Sequence, residues 1–186
     1  VRTGALYHDI GKMENPQYFV ENQSPNHNPH DKHSFEESAK IIINHVKDGV
    51  KIAKQFNLPK PVIDFIRTHH GDGLVQYFYR SHLNEFPDDI VDESRFRYPG
   101  PTPFSKETGV VMLADSVEAA SRSLKSMDAG TIEDLVDNII NYIIKEDQLE
   151  DADLTFKDIA TAKNIFKEKL KNIYHARIEY PEEKKQ

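Results

Sequence analysis

Residues 34–56 read SFEESAKIIINHVKDGVKIAKQF, and this stretch decides the fold class. Ser34 and Glu37 have the spacing of a capping box, in which each side chain accepts a hydrogen bond from the other residue's backbone N–H. Apolar residues then recur at helical spacing, namely Ile42, Val46, Val50 and Ala53. The stretch is therefore predicted to be a long amphipathic helix, with Gly49 as a weak point inside it.

Helical patterns continue on both sides of this stretch. Residues 1–8 have the pattern of a helix end, and Pro59 and Pro61 precede a further helix that Gly71 closes. A short aromatic helix is expected around residues 74–84. Because no stretch alternates at period two, the fold class is predicted to be all-α.

The C-terminal half shows three further helix starts. Ser105 is predicted to cap a helix running to about Met127, and the pairs Thr131/Asp134 and Thr155/Asp158 are expected to cap two more. Two proline-containing segments, 13–33 and 86–104, are predicted to be long ordered loops, a length that favours a functional role. We expect one helical domain over residues 1–181 and a frayed tail at 182–186.

The composition excludes several function classes. The 186 residues include no cysteine, which rules out disulfide scaffolds and thiolate nucleophiles. Apolar runs reach only four or five residues, as at Ile41–Ile43, so this chain is expected to be soluble and to have no membrane span. A net charge of −7 argues against a nucleic-acid polymer as partner. An anionic ligand would need cations that the protein binds. No oligomeric state follows from the sequence.

The candidate site residues are histidines and aspartates at the ends or on the faces of predicted helices. They are His8, Asp9, His45, His69, His70 and Asp115. Singly, each histidine has an ordinary reading as a packed or capping side chain, whereas Asp115 follows the apolar run 110–114 and needs a partner there. Together they form an N/O donor set suited to Mn²⁺, Fe²⁺ or Zn²⁺. Asp9 is the natural bridging ligand, since a carboxylate can bridge two metals.

Several segments carry a family resemblance. HDIGK at 8–12, His45, HHG at 69–71 and LADSVEAA at 113–120 resemble the HD-domain phosphohydrolases. Finer motifs are similar to the cytoplasmic HD domain of PgpH-type seven-transmembrane receptors, which hydrolyse cyclic di-AMP. These motifs are ENQ at 21–23, NPHD at 28–31, HVKDGV at 45–50, YFY at 77–79, YPGP at 98–101 and RIEYP at 177–181.

The resemblance implies a site for two divalent metals, Mn²⁺ or Fe²⁺. The first would take His8, Asp9, Asp115 and a histidine from an earlier helix that this chain does not contain. The second would take Asp9 as a bridge with His45, His69 and His70. Since the chain starts at Val1 without a methionine, we expect it to be part of a longer protein. As given, it should retain the second metal preferentially and show reduced turnover.

The function that the resemblance implies is hydrolysis of cyclic di-AMP to the linear dinucleotide by a metal-activated water. The domain would act at the cytoplasmic face of a bacterial membrane, attached through segments outside this chain. Two alternatives stay open at this point. One is an HD hydrolase of another nucleotide, such as guanosine tetraphosphate or a deoxynucleoside triphosphate, and the other is a non-catalytic nucleotide-sensing module.

Substrate contacts are predicted at four positions: Lys12, Tyr77, Tyr79 and Arg122. Lys12 is either a catalytic phosphate contact or a solvated loop lysine. Tyr77 and Tyr79 flank Phe78 and offer rings that stack on adenine, but three adjacent aromatics cannot share one helix face, so at least one should be core. Arg122 is either a surface partner of Glu118 or a residue acting near Asp115.

The remaining histidines are predicted to have no metal role. His27, His30 and His33 share a regular spacing in a proline-rich loop, which is more often incidental than a metal site. His82 and His175 are interpreted as structural or exposed.

Overall fold

A computed structural model describes residues 1–23, 28–124, 126 and 128–175, with side chains as far as Tyr174. Within these ranges the chain forms seven α-helices: α1 Arg2–Tyr7, α2 Phe35–Gln55, α3 Lys60–Thr68, α4 Gln76–Glu85, α5 Lys106–Ser121, α6 Ala129–Lys145 and α7 Phe156–His175. The one β feature among the described residues is an isolated bridge between Leu74 and Arg97. The all-α prediction is confirmed.

Three of the predicted helix starts have reciprocal hydrogen bonds between the capping residue and the residue three positions later. At α5, the Ser105 N–H donates to Thr108 Oγ1 (3.1 Å) and the Thr108 N–H donates to Ser105 Oγ (3.2 Å). At α2, the Glu37 N–H donates to Ser34 Oγ (3.1 Å) and the Ser34 N–H donates to the Glu37 carboxylate (2.9 Å). At α7, Thr155 and Asp158 exchange the same pair of bonds, at 3.0 and 3.1 Å. These starts follow from residues three positions apart, so the sequence is enough to locate them.

The end of α5 and the start of α6 differ from the prediction. At α6 the cap is Asp128, whose carboxylate accepts the Thr131 N–H (2.9 Å), so the Thr131/Asp134 assignment was wrong by one turn. The sequence offers two capping residues three positions apart, and either is chemically suitable. Helix α5 ends at Ser121 rather than near Met127, which lies outside the described residues. The Ser121 and Ser123 hydroxyls donate to the carbonyls of Glu118 and Ala120, and such bonds compete with helix continuation.

Both long loops are ordered where the structure describes them. The first is wound into 3₁₀ turns at Ile10–Glu14, Pro16–Tyr18, Val20–Asn22 and Pro29–Lys32. The second contains a 3₁₀ turn at Glu93–Phe96, and its Phe96 is fully buried in a cluster with Ile43 and Phe78. Beyond Phe96, the Tyr98 and Gly100 N–H groups donate to the carbonyls of Gly73 and Gly71 (both 2.9 Å), so this segment returns to the turn that follows α3.

The chain divides into two compact units. One comprises residues 1–112 with 148–153, and contains α1 to α4. The other comprises residues 113–147 with the chain from 154 onward, and here Lys163, Lys167 and Lys171 of α7 reach polar side chains of α6. The assignment of residues 1–181 to one domain stays a prediction, and the tail at 182–186 lies outside the described residues. None of the described helices combines the length and apolarity that a membrane crossing requires.

Candidate metal centre

A close backbone contact places Asp9 beside α2. A Cβ atom on Gly11 would lie 1.8 Å from the carbonyl oxygen of His45 and 2.5 Å from the Gly49 nitrogen. Only glycine permits this approach, because any side chain would overlap the α2 backbone. Gly49 is thus a contact point and not a break, since α2 runs through it without interruption.

Three of the candidate histidines are oriented by the backbone. The ring Nδ1 of each lies within hydrogen-bond distance of the carbonyl oxygen three residues earlier: 2.8 Å for His8 and Ala5, 2.6 Å for His45 and Ile42, and 2.7 Å for His69 and Ile66. A carbonyl oxygen only accepts, so Nδ1 carries the proton and a neutral ring presents a lone pair at Nε2. Such bonds fix the tautomer and ring orientation that metal ligation through Nε2 requires.

The lone pairs of His45 and His69 converge on one oxygen of Asp9. The Nε2 atoms of the two rings lie 3.1 Å apart, and each is 3.4 Å from Asp9 Oδ1. That oxygen is buried and has no hydrogen-bond partner within the described residues. Acceptor atoms at these distances repel one another unless a cation lies between them. The donor set therefore fits a divalent metal ion.

His70 completes this group. One ligand atom from each of Asp9, His45, His69 and His70 lies within 4.8 Å of the others. The structure thus brings together the four residues expected for the second metal, although they come from three separate segments.

The turn that carries His70 is fixed from several sides. Gly71 has a φ of +54°, which favours glycine and lets the chain turn directly after the histidine. The Gly100 N–H donates to the Gly71 carbonyl (2.9 Å), and Gln148 donates through Nε2 to Asp72 Oδ1 (2.5 Å). Parts of the chain that are distant in sequence therefore hold this turn.

The protonation states suit cation binding. Burial by itself raises the pKa of Asp9, whereas the positive charge of Lys12 beside its second oxygen lowers it, and the pKa lies far below its usual range. Burial holds the pKa of His70 well below its ordinary value. The site therefore offers an ionised carboxylate and, at His70, a neutral imidazole.

The second oxygen of Asp9 faces a different set of groups. Asp9 Oδ2 lies 3.3 Å from His8 Nε2 and accepts a hydrogen bond from Lys12 Nζ at 2.7 Å. Lys12 also donates to Glu21 (2.8 Å) and lies over the Phe19 ring. With its side chain only 22% exposed, Lys12 is not a solvated loop lysine. Burial lowers the pKa of Lys12, yet Asp9 and Glu21 outweigh this effect and raise it above the ordinary value.

The chain is similar to known proteins over nearly its whole length. The HD domain family matches residues 1–120, which include every candidate ligand named above. The chain belongs to the HD domain family. It is 46% identical over 181 residues to the cyclic-di-AMP phosphodiesterase PgpH of Bacillus subtilis, covering 97% of this chain and 25% of that protein. It is 42% identical over 184 residues to the PgpH of Listeria monocytogenes, covering 99% and 25%.

A solved structure of similar sequence covers nearly all of this HD domain. The crystal structure of the L. monocytogenes PgpH HD domain in complex with cyclic-di-AMP matches with a TM-score of 0.88 and 40% identity. The match covers 93% of this chain and 80% of that one. By contrast, the chain spans about a quarter of the length of the two full-length relatives.

The last candidate ligand of the HD domain is Asp115. It lies in α5, is half-buried, and follows Met112 and Leu113, which are both buried. Asp115 falls in the second compact unit. Its assignment as a ligand together with His8 and Asp9 stays a prediction.

The predicted substrate contacts have different environments. Phe78 is the buried member of the aromatic triplet, whereas Tyr77 is 72% exposed. The Tyr79 hydroxyl donates to Glu93 (3.4 Å), and its ring packs against the core. Arg122 forms two hydrogen bonds with Glu118, at 3.0 and 2.8 Å, as a surface pair would. Substrate binding by Tyr77, Tyr79 and Arg122 stays a prediction.

Three other histidines, His30, His33 and His82, have local partners. His30 is buried, with Nε2 3.0 Å from the Tyr18 carbonyl, and His33 Nε2 lies 3.0 Å from the Tyr18 hydroxyl. His82 contacts Asp89 (3.5 Å), in agreement with a structural role. His27 lies outside the described residues, as does the side chain of His175.

Two aromatic contacts of the metal centre were not predicted. The Tyr98 ring stacks on His70, with centroids 4.2 Å apart and an interplanar angle of 23°. The rings of Phe19 and His45 form a T-shaped pair with centroids 5.6 Å apart. Tyr98 belongs to the YPGP motif that supports the family resemblance. The motif indicated a role for this segment, but the sequence did not indicate that Tyr98 would contact His70.

Proposed function

We propose that this HD domain is a metal-dependent phosphodiesterase that hydrolyses cyclic di-AMP to the linear dinucleotide. The observation that carries the proposal is the buried, unpartnered Asp9 Oδ1 facing the oriented Nε2 atoms of His45 and His69. The nucleotide assignment is supported by the similarity to the PgpH HD domain solved with cyclic-di-AMP. The domain would be the cytoplasmic output domain of a bacterial membrane receptor.

The proposed cofactor is a pair of divalent metal ions, Mn²⁺ or Fe²⁺. Asp9, His45, His69 and His70 would hold one ion, and His8, Asp9 and Asp115 would hold the other. Imidazole and carboxylate ligands without a thiolate suit these metals. When bound, the metals supply an activated water and neutralise charge on the phosphodiester.

The protein's own contribution is orientation and charge. Asp9 directs its two oxygens to different partners, as a bridging carboxylate must. Lys12 keeps its proton between Asp9 and Glu21, so it places a fixed positive charge beside the site. Because Asp9 and Glu21 together outweigh the charge of Lys12, the bound metal ions would supply the local positive charge that an anionic dinucleotide needs in a chain of net charge −7. We assign Lys12 as a catalytic phosphate contact, and Tyr77, Tyr79 and Arg122 as further substrate contacts.

The test is product analysis with a charge-removing variant. The purified chain, supplied with Mn²⁺ and cyclic di-AMP, should form the linear dinucleotide, as measured by ion-exchange chromatography. Asp9→Asn keeps the side-chain shape but removes the charge, and we expect turnover to fall by about 100-fold or more. Asp31→Asn, an exposed aspartate in the first loop, is the matched control and should retain full activity.

Three outcomes would contradict the proposal. Full activity of Asp9→Asn would exclude the metal centre from catalysis. Faster hydrolysis of a guanine cyclic dinucleotide or of guanosine tetraphosphate would assign the domain to another nucleotide. Binding of cyclic di-AMP without any product, at any supplied metal, would make it a sensing module.

A further inference from the structure

Glu21 belongs to the ENQ segment at 21–23 and reaches the edge of the metal centre through Lys12. Its carboxylate accepts a hydrogen bond from Lys12 Nζ at 2.8 Å, and the same ammonium group lies 2.7 Å from Asp9 Oδ2. Lys12 is therefore shared between two carboxylates, of which one is a candidate metal ligand and the other belongs to the first ordered loop.

The loop that carries Glu21 has anchors of its own. His30 Nε2 lies 3.0 Å from the Tyr18 carbonyl oxygen, and Phe19 is only 6% exposed. The Phe19 ring lies below the Lys12 ammonium group, with 5.2 Å between Nζ and the ring centroid. The loop therefore confines the Lys12 side chain through both a carboxylate and an aromatic ring.

The charges of Asp9, Lys12 and Glu21 affect how strongly the metal centre attracts a cation. Asp9 and Lys12 carry opposite charges, so this pair alone would be neutral. Glu21 adds a second carboxylate and leaves the three groups with a net negative charge. A divalent cation is attracted to a negatively charged group and gains much less from a neutral ion pair.

Glu21 also gives Lys12 a partner other than Asp9. A metal ion on Asp9 and an ammonium group on the same carboxylate repel each other, because both are cations at short range. An ammonium group has three N–H donors, so Lys12 can keep an ion pair with Glu21 while its bond to Asp9 lengthens.

We infer that Glu21 is a positioning residue that holds the Lys12 ammonium group and so keeps Asp9 Oδ2 available to a divalent metal ion. The inference rests on the proposed function, of which the metal centre is part. It assigns Glu21 no contact with metal or substrate. Without the Glu21 carboxylate, Lys12 would pair with Asp9 alone and oppose metal binding.

The test is the affinity of the chain for Mn²⁺, measured by titration calorimetry. Glu21→Gln keeps the shape of the side chain but removes its charge. It should weaken binding about tenfold, the lower end of the usual loss when a group that supports a metal ligand is removed. Glu21→Asp keeps the charge and should lose less. Glu14→Gln is the control, because Glu14 is an exposed carboxylate of the same loop, and it should bind Mn²⁺ as wild type does.

A second comparison shows whether Glu21 acts through Lys12. Lys12→Gln removes the ammonium group and should bind Mn²⁺ at least as tightly as wild type. In that background Glu21→Gln should change Kd by less than about threefold, because no ammonium group remains to be held. The urea midpoint of Glu21→Gln should equal that of wild type, because a partly exposed ion pair contributes little to stability.

Three results would overturn this inference and leave the proposed function intact. The first is equal Mn²⁺ affinity of Glu21→Gln and wild type. The second is an equal loss of affinity from Glu21→Gln with and without Lys12, which would assign the effect to the charge of Glu21 itself. The third is a fall in urea midpoint that accompanies the loss of affinity, which would indicate a structural role. Absence of Mn²⁺ binding by the wild type would instead overturn the proposed metal centre and this inference together.

Discussion

Gly11 lies so close to the backbone of His45 that its α-carbon has no room for a methyl group, because a Cβ there would be 1.8 Å from the His45 carbonyl oxygen. Asp9, two residues earlier, lies with Oδ1 3.4 Å from the His45 ring. The distance between carboxylate and imidazole therefore depends on a backbone contact that neither side chain makes. Substitution of Gly11 tests this dependence.

Gly11→Ala should separate the 3₁₀ turn from α2 and move Asp9 away from His45. The neighbouring atoms belong to the α2 backbone and cannot shift cheaply, so we expect a loss of about 1–3 kcal/mol in the free energy of unfolding. The affinity of the Gly11→Ala variant for Mn²⁺ should also fall, because Asp9 would lie farther from His45. Urea unfolding and titration with Mn²⁺ measure the two effects. Gly130→Ala is the control, because its Cβ would be 3.4 Å from the nearest atom, a side-chain oxygen of Asp128. Equal stability of Gly11→Ala and wild type would contradict the contact.

Tyr98 should support the metal centre through its stacking on His70. Tyr98→Phe keeps the ring and should bind Mn²⁺ as wild type does, whereas Tyr98→Ala removes it and should bind about tenfold or more weakly. Titration calorimetry with Mn²⁺ measures both affinities. If the phenylalanine variant were as weak as the alanine variant, the hydroxyl and not the stacked ring would be responsible.

Metal binding should stabilise the fold, independently of activity. At Mn²⁺ concentrations about 100-fold above Kd the gain is about 2.7 kcal/mol, because the ion binds the folded state selectively. For a chain of this size the expected rise in Tm is about 5–10 °C. The rise should be lost in Asp9→Asn and kept in His33→Gln, a histidine that contacts Tyr18 instead of the metal centre. A similar rise in Asp9→Asn would place the bound ion elsewhere.

The capping box of α2 should stabilise the helix that carries His45 without taking part in the chemistry. Ser34→Ala removes the acceptor for the Glu37 N–H and should cost about 1 kcal/mol, which is about 2–4 °C in Tm. Ser34→Thr keeps a hydroxyl and should lose less. Thermal unfolding measures the change, and turnover at 25 °C should be equal in all three proteins. A large fall in turnover for Ser34→Ala would contradict a purely structural role.

The sequence by itself determined the helical class and most helix starts. Capping boxes such as Ser34–Glu37 and Thr155–Asp158 involve residues three positions apart, and amphipathic faces repeat every turn, so both can be read locally. At the start of α6, Asp128 and Thr131 are both suitable capping residues, so the sequence could not show which of them caps the helix. The histidine and aspartate pattern indicated a metal-binding donor set, and the motifs indicated the HD family, which the comparisons confirmed.

Only the tertiary structure decided how those residues meet. Gly49 appears from the sequence to be a weak point in α2, yet it is where Gly11 packs. Lys12 follows Asp9 by three residues, but its burial depends on Glu21 and Phe19 in the ordered loop. The stacking of Tyr98 on His70 joins residues 28 positions apart. A sequence pattern encodes hydrogen bonds and faces within one element, whereas these contacts arise when separate elements pack together and bury groups that then need partners.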